Sequence, residues 1–137
     1  MRLAVLVSGS GTLLESMIDA QLPVRLVVAD RPCRGLELLA PEEGPSVLLE
    51  RTDWTDAFDR DRYALDLLDL LDEHRIDLVA MAGFGTVLGA PLFEAMEGRV
   101  INTHPALLPA FPGWHAVRAA LACGVKVTGC TIHVATA

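Results

Sequence analysis

Apolar residues dominate positions 2–7, and the run stops at Ser8-Gly9-Ser10-Gly11-Thr12. A short apolar run closed by glycine fits a central parallel strand buried on both faces. Helical spacing follows at Leu14, Met17 and Ile18 and predicts a helix over 13–20. Thr12 and Glu15 have the spacing of a capping box at its start. The same alternation recurs along the chain. Strands are expected over 24–29, 46–49, 77–82, 99–103 and 126–134. Helices are expected over 36–40, 57–75, 91–96 and 114–123, the second with Phe58, Leu65, Leu68 and Leu71 near one face. Strands alternating with helices make an α/β fold, an open, mostly parallel sheet with right-handed crossovers and helices on both faces.

In such sheets ligands bind beyond the carboxyl ends of the strands. Loops 8–12, 83–89 and 102–113 all fall there. The first joins a strand to a helix through glycine and serine, the setting in which free amides and the helix dipole hold phosphate. It lacks the full dinucleotide and P-loop fingerprints. In the third, Asn102 and His104 lie two apart on extended chain and so share a face. Pro105, Pro109, Pro112 and Gly113 then stop both strand and helix. An amide and an imidazole beside a stiff loop suit a binding or catalytic site.

Composition narrows the choices. The chain has 137 residues, 52% hydrophobic and 21% charged, which suits one domain over 1–137 with its own core. The net charge of -7 disfavours a nucleic-acid binder, though backbone amides can still hold a small anion. Cys33, Cys123 and Cys130 show no metal spacing and read as reduced thiols, the last two as core residues. No metal is expected. The apolar stretch from Val100 to Val117 is broken by proline and does not read as a membrane span, and the expected compartment is the cytoplasm. His115 reads as part of a helix start and His74 as a structural residue near a helix end.

Ser8-Gly9-Ser10-Gly11-Thr12, Ala82-Gly83-Phe84, the block from Asn102 to Gly113 and the stretch from Gly124 to Val134 occur in order and at family spacing. Together they resemble the folate-dependent formyltransferases, in the phosphoribosylglycinamide formyltransferase branch of purine biosynthesis. The resemblance covers essentially all 137 residues. It implies a Rossmann-like formyltransferase sheet and transfer of a formyl group from 10-formyltetrahydrofolate, as co-substrate, to the amine of glycinamide ribonucleotide. It implies that Asn102 and His104 stabilise the oxyanion of a tetrahedral intermediate. It implies that Ser10, Gly11, Thr12 and Leu13 hold the substrate phosphate. The folate pocket would comprise Arg60, Phe84, Gly85, Thr86, Val87, Leu88 and His133. The expected partners are small molecules, with a homodimer left open.

Two departures stand out. Thr12-Leu13 and Gly85-Thr86 replace residues common in the family's two loops. The family's acidic loop, with the aspartate that assists proton transfer, is expected beyond Ala137. The sheet is therefore expected to lack its C-terminal part, and residues 1–137 alone to be weak or inactive. Alternative readings are a 10-formyltetrahydrofolate hydrolase, a methionyl-tRNA formyltransferase relative, which the acidic charge disfavours, and an inactive ligand-binding fragment.

Overall fold

The first apolar run becomes the centre of the sheet in the computed structural model, which describes residues 1–137. Strand β1 (Leu3–Val7) is buried at every position. It is flanked in parallel by β2 (Val24–Ala29) and β4 (Leu78–Met81). β3 (Ser46–Leu48) extends the sheet beyond β2. β5 (Val100–His104) continues it beyond β4, and β6 (Thr131–Val134) closes the edge antiparallel to β5. The strand order is β3-β2-β1-β4-β5-β6. The chain thus winds outward from β1, returns to the other side of it, and winds outward again. This is the expected open, mostly parallel α/β sheet.

Alternate residues of the central strands feed two cores, as the two-residue period of a strand requires. Ala4, Leu6, Leu26 and Val28 meet helix α2 (Arg60–Glu73) and helix α3 (Ala90–Ala95) through Leu67, Leu71 and Leu92. Leu3, Val5, Val7 and Val27 meet Leu14 of helix α1 (Thr12–Asp19) on the other face. A 3-10 turn over Arg34–Glu37 replaces the expected helix at 36–40 and carries the chain under the loop after β1. Helix α4 (Ala116–Cys123) follows the proline loop, with His115 as its N-cap residue.

Several boundaries differ from the sequence reading, each for a local reason. The helix expected at 57–75 begins only at Arg60, because the Asp59 side chain accepts the Arg62 N–H at 2.8 Å and caps it there. It ends where Arg75 turns left-handed at φ 52°. Its buried stripe is Tyr63, Ala64, Leu67 and Leu71, while Leu65 is 45% exposed. The strand expected at 126–134 forms only from Thr131, where it pairs with β5. Before that point the chain leaves α4 through left-handed Gly124 and runs exposed. Cys123 and Cys130 are therefore exposed rather than in the core. No capping box forms at α1. Gly11 is the N-cap residue and Thr12 already lies inside the helix.

No helix is long and apolar enough to cross a membrane. Packing predicts a contrast within α2. Leu67 is fully buried, so Leu67→Ala should cost about 2–5 kcal/mol of stability. Leu65→Ala, on the outer face, should change it by less than about 0.5 kcal/mol. Urea unfolding of both variants measures the difference.

Candidate active site

The sheet order reverses between β1 and β4, so the chain leaves these adjacent strands in opposite directions and a crevice opens above their carboxyl ends. Ser8 N–H donates to the Gly83 carbonyl at 3.1 Å, joining the loops that follow the two strands. Two clefts open here, of about 620 Å³ and about 480 Å³. Gly83, Thr103, His104 and Pro105 line both, so His104 stands on their common wall.

The smaller cleft contains the loop that precedes α1. Gly9, Ser10, Gly11, Thr12 and Leu13 line it, with Cys130 and Ile132 opposite. Gly11 is left-handed at φ 72°, and a Cβ there would lie 2.6 Å from Leu38 Cδ1. Backbone and packing therefore both require glycine. Beneath the loop, Gly35 N–H donates to the Gly9 carbonyl at 3.2 Å. Arg34 donates to the Ser10 carbonyl at 2.9 Å and to Glu15 at 2.8 Å. The Arg34 hydrogen bond and charge hold the Glu15 carboxyl below its ordinary pKa. The result is a braced loop that leads into the positive end of a helix, suited to an anion.

The larger cleft is walled by the loop after β4. Phe84 and Leu88 are buried and belong to the main core, which fixes this wall from within. Val87 is 60% exposed at the rim. Thr86 is buried, and its hydroxyl donates to Asp30 Oδ2 at 2.8 Å. Asn102, His104 and His133 face the loop across the cleft, and Trp114 adds an exposed aromatic surface. Arg60 lies outside both clefts. It is exposed at the start of α2, where its backbone abuts Gly89.

Backbone groups orient the polar side chains at the end of β5. His104 Nε2–H donates to the Phe111 carbonyl at 2.8 Å. Phe111 is left-handed at φ 51°, a conformation uncommon for a bulky residue, and it turns that carbonyl back toward the strand. Asn102 Nδ2 donates to His133 Nε2 at 3.2 Å, across the register pair of β5 and β6. His133 Nδ1 then donates to the Val134 carbonyl at 3.1 Å. One neutral tautomer, protonated at Nδ1, satisfies both bonds. Thr131 accepts from Leu108 N–H at 3.1 Å and donates to the Ala106 carbonyl at 2.7 Å, tying the proline loop to β6. The arrangement offers an amide and an imidazole, both fixed, on a wall between two ligand-sized spaces.

The sequence reading did not single out Trp114, Thr131 or Asp30. Trp114 follows Pro112-Gly113 and read as a helix start, though an exposed tryptophan after a turn was a usable signal. Asp30 closes the apolar β2 run and is completely buried. Burial pushes its carboxyl up. Hydrogen bonds from Arg31 and Thr86, the nearby Ser8 hydroxyl and the Arg31 charge outweigh that and bring its pKa below the ordinary carboxylate value.

Comparison with known proteins places these features. The formyl transferase family model matches residues 1–137. Phosphoribosylglycinamide formyltransferase of Mycobacterium tuberculosis is 44% identical over 141 residues, taking in 99% of this chain and 64% of that protein. The protein of the same name from Bacillus subtilis is 33% identical, over 96% of this chain and 70% of that one. The crystal structure of phosphoribosylglycinamide formyltransferase from Bacillus halodurans superposes with a TM-score of 0.87 at 39% identity, covering 100% of this chain and 73% of that chain. The chain thus spans 64% of the length of the Mycobacterium relative.

The Asp30 pairing makes stability depend on pH with a definite sign. A carboxylate whose pKa is depressed by folding stabilises above its unfolded value and loses that contribution as pH falls through the folded one. The stability difference between wild type and Asp30→Asn should be steady above about pH 5 and shrink below about pH 4, the ordinary carboxylate range. Urea titrations across that range measure it.

Proposed function

We propose a function that proceeds from one premise: the chain belongs to the formyl transferase family. The protein transfers a formyl group from 10-formyltetrahydrofolate to the amine of glycinamide ribonucleotide, as a cytoplasmic step of purine biosynthesis. The names of the relatives support formyl transfer to this acceptor. The observation that carries the reading is the position of His104 on the wall shared by both clefts. A two-substrate transfer needs such a meeting point.

In this reading the smaller cleft takes the ribonucleotide. The amides that follow Ser10 and Gly11, at the start of α1, hold its phosphate, with Thr12 and Leu13 completing the cradle. The larger cleft takes the folate between the wall at 84–88 and His133. Arg60, exposed nearby at the start of α2, is assigned to the outer, charged end of that ligand. The amine nitrogen attacks the formyl carbon, and the carbonyl electron pair moves onto oxygen. Asn102 donates to this oxyanion with the N–H that His133 does not engage. His104 keeps Nε2–H on Phe111, so it donates through Nδ1 as an imidazolium. Both donors are held in place before the charge develops, which is where such groups contribute most. Collapse of the intermediate breaks the bond to folate N10. The proton lost by the amine passes to N10 in the leaving folate.

Removal of one preorganised oxyanion donor typically costs ~10²–10³ in turnover. Asn102→Ala and His104→Ala should each lower kcat for formyl transfer by about that factor. Their urea midpoints should remain close to wild type. Near-normal turnover in either variant overturns the assignment of that residue.

A further inference from the structure

Asp30 is a completely buried carboxylate to which the mechanism gives no task. A buried charge costs several kcal/mol unless it is well partnered, and its partners here are specific. Arg31 donates to both oxygens, at 3.0 and 3.2 Å. The Thr86 hydroxyl donates to Oδ2 at 2.8 Å. The Ser8 hydroxyl helps to hold the same carboxylate ionised. Ser8 Oγ in turn accepts the Gly85 backbone N–H at 2.6 Å. Asp30 therefore bonds directly to Thr86, and the preceding residue, Gly85, is bonded to Ser8.

Ser8 opens the loop of the smaller cleft, and Gly85 and Thr86 form the wall of the larger one. The fit is tight. A Cβ on Gly85 would lie 2.8 Å from Arg31 Nη2 and 3.4 Å from Ser8 Oγ. Arg31 is held from outside by stacking on Trp54, at 4.1 Å from the ring centroid.

We propose that Asp30 is the positioning residue of the folate wall, fixing Thr86 through its hydroxyl and Gly85 through the Arg31 side chain packed on it, so that the cleft is formed before the formyl donor arrives. It touches no substrate. Its contribution is preorganisation, which raises affinity by removing the ordering cost of the loop at binding. The inference rests on the formyltransferase reading only for the identity of the ligand.

Hydrogen exchange in the free protein tests the positioning, and calorimetry with tetrahydrofolate tests its use. Thr86→Val keeps the shape and deletes the hydroxyl, Thr86→Ser keeps the hydroxyl, and Asp30→Asn removes the charge. Amides 85–88 should exchange at least about tenfold faster in the Val and Asn variants and at the wild-type rate in the Ser variant, with β1 and β4 still protected. Tetrahydrofolate should bind roughly tenfold more weakly to the first two, with affinity for glycinamide ribonucleotide within about twofold of wild type in Asp30→Asn. Unchanged exchange at 85–88 in Thr86→Val overturns the positioning role, even if Asp30→Asn fails to fold. Faster exchange with unaltered folate affinity overturns its link to the donor. Absence of tetrahydrofolate binding by the wild-type protein overturns the formyltransferase reading and leaves the exchange result to decide the positioning role.

Discussion

The structure depends on the parallel pairing of β1 with β4, neighbours in space but separated in sequence by two strands and two helices. Pairing in that register ends both strands at one level, Leu6 opposite Met81. The loops that follow cannot avoid each other, and Ser8 meets Gly83 across the gap. A cleft at this place is thus a consequence of winding order. Helices α1 and α3 leave the loops on opposite faces of the sheet, so nothing covers the opening between them.

What the winding leaves to side chains is the shape of the walls. The apolar wall is fixed by continuity with the core through Phe84 and Leu88. The polar part is fixed by backbone carbonyls. Phe111 holds His104, Val134 holds His133, and His133 holds Asn102. Carbonyls suit this task because they orient a donor without a full negative charge that would oppose an anionic ligand or a developing oxyanion. This matters in a chain of net charge -7. The one carboxylate buried at the site, Asp30, is neutralised by a forked arginine before it reaches either loop.

Features set by local pattern were legible in the sequence. The apolar runs gave the strands, glycine and proline marked the loops, and the two-residue spacing of Asn102 and His104 put both side chains on one cleft wall. What could not be read depends on partners distant in sequence. Leu65 seemed as apolar as Leu67, and it is the packing of Tyr63, Ala64, Leu67 and Leu71 against the sheet that leaves it outward. Residues 126–130 carry strand-forming side chains, but β5 offers pairing only opposite 131–134. Asp30 could have been another exposed turn residue. Its role appears only when Thr86, 56 positions away, is brought against it. Arg60 was placed at the folate site by resemblance, and the fold sets it at the rim beside Gly89, outside both clefts.

The two clefts impose an order on the energetics. A wall at 84–88 that is formed in the free protein would let the binding energy of a ligand in the larger cleft act on placement rather than on folding a loop. The smaller cleft is braced in the same manner by Arg34 and Gly35 beneath Ser10 and Gly9. Any movement at their junction would reach the His104 ring through the proline loop, which carries Phe111. Thr131 limits it there with bonds to Ala106 and Leu108. The left-handed Phe111 sets the aim of the imidazole, since the His104 ring is bonded to its carbonyl. Between two braced walls, the angle of one backbone carbonyl sets the direction in which that ring faces.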